Sequence, residues 1–216
     1  MIVKTMNQVE IAREILADFS SVQKKVMTLK KPMRRSLIKS RKKYAFKIIE
    51  YESQRKNNWV IFIDCFKKET LTKYIVSYLD KNGFNAVMVL DNRNLMHISS
   101  HFIQRYNERY LQQLGLSKIE VLKQFIKRNP VGFLQKLPDD ENHKNKFFGR
   151  LADGITLGYH ESLPFTQISY HKTFINTKMV MEFQKNPFET SSQELSAYWD
   201  INFKFTKWDV FNSNPA

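Results

Sequence analysis

The residues best suited to chemistry lie between His97 and Tyr110, in the run His-Ile-Ser-Ser-His-Phe-Ile-Gln-Arg-Tyr-Asn-Glu-Arg-Tyr. A helix that starts after Ser100 puts His101, Arg105, Glu108, Arg109 and Gln112 on one polar stripe. Ile103, Tyr106, Tyr110 and Leu114 then form the opposite, core-facing stripe. An imidazole and two guanidiniums near a helix N-terminus make a phosphate site, because the helix dipole and its free N–H groups favour an anion there. Arginine forks hold phosphate oxygens in pairs. Histidine moves a proton near neutral pH. The same spacing also suits a solvated helix face braced by Glu108. A second group sits later in the chain. Alternation over residues 167–175 puts Ser169, His171 and Thr173 on one face of a strand. On the preceding hairpin, Thr156 and His160 share a face with Gly149 and Gly158. If the faces align, the two glycines leave room for a close-approaching group.

The pattern H-x-x-x-R-x-x-E-R at His101, Arg105, Glu108 and Arg109, followed by a hairpin and the K-T-F-I element at residues 172–175, resembles metal-independent bacterial ribonucleases and toxin nucleases. These are the barnase-, EndoU- and colicin-like proteins. The resemblance covers about residues 95–185. It implies an active site of His101, Arg105, Arg109 and Thr173, with His171 as partner in proton transfer. One imidazole would take the 2′-hydroxyl proton of RNA and the other would protonate the departing 5′-oxygen. The two arginines would stabilise charge on the phosphorus oxygens. No metal or cofactor is needed, because the nucleophile belongs to the substrate. The long basic N-terminus and the aromatic C-terminal tail depart from this pattern.

The charge balance points to a polyanion independently of any catalytic group. The net charge is +14. Residues 24–47 hold eleven Lys and Arg and no Asp or Glu. Ten of them, Lys24, Lys25, Lys30, Lys31, Arg34, Arg35, Lys39, Arg41, Lys42 and Lys43, are the expected nucleic-acid contacts. Such a field concentrates nucleic acid and gives salt-sensitive binding. RNA is the expected partner ahead of DNA. A non-catalytic nucleic acid-binding protein is therefore the alternative to a ribonuclease. Phe46, Tyr51 and Trp59 are near enough in sequence to stack bases, although core packing is the ordinary role of such residues.

Several classes are unsupported. No Gly-rich phosphate loop, G-x-S-x-G or H-E-x-x-H is present. A single cysteine rules out a Cys-rich zinc site and any disulfide within the chain. Cys65 lies in an apolar run and reads as a small buried side chain. No apolar run reaches the roughly 18 residues of a membrane span. A cytoplasmic protein with no membrane partner is expected.

The elements that must position these residues give an α+β fold: basic N-terminal helices, then a mostly antiparallel sheet packed with helices. Apolar residues at helical spacing predict a helix over 7–30. Pro32 suggests a break before a short basic helix over 33–43. Residues 1–43 would be a helical extension and residues 44–216 the α+β domain, or the two one continuous domain. Strands are expected over 44–51, 59–66 and 84–90, with 71–79 ambiguous between strand and helix. Helices follow over about 101–115 and 118–128. Asp153-Gly154 reads as a two-residue turn between strands 146–152 and 155–161, which would set Gly149 opposite Gly158. A strand over 167–175 and a short helix over 178–185 come next. The aromatic tail, residues 198–211, would pack on its own domain, on a protein partner or on a second copy as a homodimer.

Overall fold

A computed structural model describes residues 1–130, 132–137 and 144–179. Most of the expected helix over 178–185 and all of the aromatic tail lie outside these residues. The fold is α+β. Helix α1 (Gln8–Lys39) precedes strands β1 (Tyr44–Glu52), β2 (Asn58–Phe66), β3 (Thr70–Asp80), β4 (Gly83–Val89) and β5 (Asn94–Ile98). Then come α2 (Ser100–Tyr106), a π-helical turn (Asn107–Leu111) and α3 (Lys118–Arg128). Strands β6 (Gly132–Lys136), β7 (Lys146–Leu151), β8 (Gly154–Ser162) and β9 (Gln167–Asn176) complete the described elements.

The chain divides into two compact units. The first is Met1–Ile98 with Ser162–Ile168, and the second is Ser99–Glu161 with the chain from Ser169 on. Helix α1 and the strands that follow it belong to the same unit. The basic helix is no appendage, because Ile11, Ile15, Phe19, Val22 and Val26 are all buried in the first unit. Their spacing is that of one face of a helix, and that face packs on the sheet.

In the first unit β1 to β5 form an antiparallel meander. Strand β2 lies between β1 and β3 and is buried from Trp59 to Cys65. Both its faces are covered, which explains a sequence that is apolar throughout except for Asp64. Cys65 is buried, as the sequence suggests. Residues 71–79, ambiguous in the sequence, belong to β3; their β-branched and aromatic side chains pair with β2 and β4. β5 was not expected, since residues 94–98 are too few to show a period.

Helix α1 starts on a capping box, with Asn7 accepting from the Glu10 amide and Glu10 accepting from the Asn7 amide. It runs without a break through Pro32. This corrects the expected division into two helices. A proline removes one backbone donor and crowds the preceding turn. The exposed ring points to solvent, and Leu37 beyond it is buried at 3% exposure, so the apolar stripe holds the helix on both sides of the proline.

The helix is fixed by a carboxylate that lies within its apolar stripe. Asp18 is 0% exposed. Its Oδ2 accepts from Ser53 Oγ at 2.5 Å, Asn57 Nδ2 at 2.9 Å and Trp59 Nε1 at 2.9 Å. Its Oδ1 accepts from Ser21 Oγ at 3.1 Å. One turn earlier, Glu14 pairs with Arg55 at 2.5 Å and accepts from Asn57 Nδ2 at 3.1 Å. The β1–β2 turn is thus bound to the underside of α1. Burial raises the Asp18 carboxyl, but the hydrogen bonds from Ser53, Asn57, Trp59 and Ser21 outweigh it and hold the group below its ordinary range. The Arg55 hydrogen bonds, against burial, bring Glu14 down to about 2.

Asp18→Ala leaves the Ser53 hydroxyl and the Trp59 indole N–H without this acceptor and Asn57 with Glu14 alone, and should cost about 3 kcal/mol or more. Urea unfolding checks it, and a loss under about 1 kcal/mol would refute the role. A second expectation concerns acid. Glu14 has a folded pKa below its ordinary 4.5. Its stabilisation is therefore complete above that value and disappears as the pH falls toward about 2. Glu14→Gln should flatten the loss of stability in that window. An unchanged pH profile would show that the pair carries no linkage.

Candidate nucleic-acid interface

The second unit contains the proposed catalytic residues. Ser99 caps α2, its Oγ accepting from the Phe102 amide at 3.1 Å. After Tyr106 the helix widens into the π turn, closed by the Gln112 amide donating to the Asn107 carbonyl, five residues back. One extra residue in the turn shifts the phase of everything beyond it. The helix then stops at Leu111 on a left-handed Gln112, so Leu114, expected in the core, lies past its end and is fully exposed at 101%. Ile103 and Tyr106 are buried as expected, joined by Phe102. Arg109 is re-aimed as well, and its Nη1 donates to the Phe174 carbonyl on β9 at 2.5 Å. Arg105 pairs with Glu108 at 2.9 Å. Glu108 also accepts from Gln104. His101 is exposed.

His171 goes inward. It is 1% exposed and lies between Phe102 and Phe147, with ring centroids at 6.2 and 5.0 Å. Its Nδ1 is 3.1 Å from Thr156 Oγ1. Thr173 is half-buried two residues along β9. The stripe and the strand do belong to one unit, but the fold separates their histidines by environment: one faces solvent and one is sealed among aromatic rings. His160, the other imidazole of this group, has Nδ1 2.9 Å from Ser169 Oγ, and its ring centroid is 4.7 Å from that of Phe147. Burial, with a lesser push from Lys136, lowers its pKa.

The hairpin register also departs from expectation. Gly149 pairs with Thr156, and Phe147 pairs with Gly158. Asp153 is the cause. Its carboxylate accepts from Tyr106 Oη at 2.5 Å, Arg128 Nε at 3.0 Å and Asn129 Nδ2 at 3.1 Å, and its amide donates to Asn129 Oδ1 at 3.0 Å. These bonds hold Asp153 inside a longer turn. The turn opens to residues 151–154, stitched by Arg150 Nη1 to the Leu151 and Gly154 carbonyls. The gap at Gly158 is filled by the Phe147 ring and the Tyr170 carbonyl, so it offers no space to a ligand.

The basic segment belongs to the first unit. Lys24, Lys25, Lys31, Arg34, Arg35 and Lys39 on α1 are exposed, as are Arg41, Lys42 and Lys43 on the link to β1. Lys30 is half-buried, and burial lowers its pKa. Among the described residues none of these ten cations is ion-paired with a carboxylate. Two more cations join them. Arg34 Nη2 donates to the Lys68 carbonyl at 3.3 Å, which brings in Lys67 and Lys68 of the β2–β3 turn. The pairing of Tyr44 with Phe66 puts that turn beside residues 41–43. A Lys-Lys pair between two strands was the available signal for this extension, and only the strand register makes it useful. Of the aromatics considered for base stacking, Trp59 is buried, while Phe46 and Tyr51 are half-buried.

Asp153→Ala removes the shared acceptor of Tyr106, Arg128 and Asn129 and should cost about 3–5 kcal/mol, because it leaves a partly buried guanidinium without its counter-charge. Chemical denaturation measures it; a loss below about 1 kcal/mol would show that the network is not structural.

Among the described residues no helix is long and apolar enough to cross a membrane. Comparison with protein-family models, with curated proteins and with solved structures gave no match to this chain.

Proposed function

We propose that this chain is a non-catalytic nucleic acid-binding protein that holds the phosphate backbone on the basic surface of its first unit. One observation carries the reading. Ten cations cluster on the distal half of α1 and the following link, with no carboxylate partner among the described residues. A stable fold has no need of so many uncompensated like charges in one place, since they repel each other. Bound phosphates remove that repulsion and release their own counterions.

The ribonuclease reading has less support. His171 is too enclosed to exchange a proton with an RNA hydroxyl, and Arg109 already serves the Phe174 carbonyl. His101 remains exposed beside Arg105, but a lone imidazole supplies only half of the acid–base pair.

Binding to a fluorescent oligonucleotide, measured across a salt series, tests the proposal. Log affinity should fall linearly with log salt. Lys31→Ala with Arg35→Ala should reduce the slope by about 1.4–1.8, the contribution of two phosphate contacts. No binding at low salt, or binding indifferent to salt, overturns the reading. RNA should survive incubation with the protein in EDTA. Cleavage that is lost in His101→Ala would restore the enzyme.

A further inference from the structure

The shape of the basic surface says more than its charge. On a helix, positions i, i+7, i+11 and i+15 fall on one line. Lys24, Lys31, Arg35 and Lys39 occupy those positions, and all four are exposed. Directly behind them Val22, Val26 and Leu37 are buried and Met33 is half-buried. The four cations therefore form the outermost ridge of α1, about 22 Å long at 1.5 Å per residue. That length matches roughly six base pairs at 3.4 Å each. Lys25 stands on one flank of the ridge. Arg34 stands on the other, continued by Lys67 and Lys68.

We propose that this ridge lies in the major groove of double-stranded DNA, with the flanking cations on the phosphates of the two walls. The inference rests on the nucleic acid reading above and names its substrate. Three features select the duplex. First, the cations stand on the crest and on both flanks, as a groove with two charged walls requires; a single strand has one backbone and would use one line. Second, the B-form major groove is about 12 Å wide and admits a helix, whereas the A-form RNA groove is too narrow and deep for one. Third, single-strand binding sites stack bases on aromatic rings. Among the described residues no aromatic side chain is exposed. The expectation of RNA ahead of DNA is thereby reversed. Three of the four crest residues are lysines, which act as point charges and not as planar forks. Binding is accordingly tolerant of sequence.

The test uses the full chain and four probes of one sequence: a 16-base-pair DNA duplex, the corresponding RNA duplex, and each single DNA strand. Anisotropy titrations should show the DNA duplex bound about tenfold or more tightly than the other three, a difference of about 1.4 kcal/mol. Methylation of guanine N7, an atom of the major groove, should be suppressed in the complex. Lys24→Ala with Lys31→Ala should abolish both the preference and the protection; these side chains are exposed, and thermal melting confirms that the variant is folded. Equal or tighter binding of a single strand or of the RNA duplex overturns the DNA inference and leaves the nucleic acid reading intact. Duplex binding without N7 protection overturns the groove placement. No binding to any probe at low salt overturns both readings.

Discussion

A carboxylate with no exposed surface normally destabilises a protein, because removing its charge from water is expensive and has to be offset by hydrogen bonds of good geometry. Asp18 is such a group, and four side chains meet it. Its donors come from α1 itself, from the β1–β2 turn and from the first buried residue of β2. One ion thus specifies which way the helix is rotated on the sheet. Any other rotation would bury the charge without its partners. The rotation decides everything about the basic surface, because the line of lysines and arginines lies on the side opposite the buried stripe.

The second unit uses the same device. Asp153 gathers Tyr106, Arg128 and Asn129 and so ties α2, the end of α3 and the β7–β8 turn together. In both units a buried acid has been placed where loops and helices must agree on a common position. Each was hidden in the sequence by a more familiar pattern. Asp18 sits seven residues after Ile11 and four before Val22, within an apolar stripe that reads well without it. Asp153 precedes a glycine and looks like a turn former. A charged residue on the apolar face of a helix is the legible sign of a buried ion pair or network, and it could have identified Asp18.

The α+β class, most strands and the basic segment followed from periodicity and composition, which act locally. What failed was decided by contacts distant in sequence. The phase of the stripe after Tyr106 depends on a π turn that no local propensity marks. The hairpin register depends on Asn129 and Arg128, more than twenty residues away from Asp153. Whether His171 faced solvent or core depended on Phe102 and Phe147 closing over it, and alternation along a strand assigns faces without saying which one is covered. Arg109 illustrates the same limit: a guanidinium on a polar stripe looked free to hold a phosphate, yet it donates to a backbone carbonyl on a strand that follows 65 residues later.

Pro32 has a mechanical meaning as well as a sequence one. A helix that lacks one backbone hydrogen bond bends most easily at that place. Lys24 and Lys31 precede the proline, while Arg35 and Lys39 follow it. The rod of charges therefore has a joint near its middle, with the Asp18 anchorage on one side and Leu37, Met33 and the Arg34–Lys68 hydrogen bond securing the other. Bending there would move Arg35 and Lys39 relative to Lys24 and Lys31 without disturbing the sheet that carries the helix.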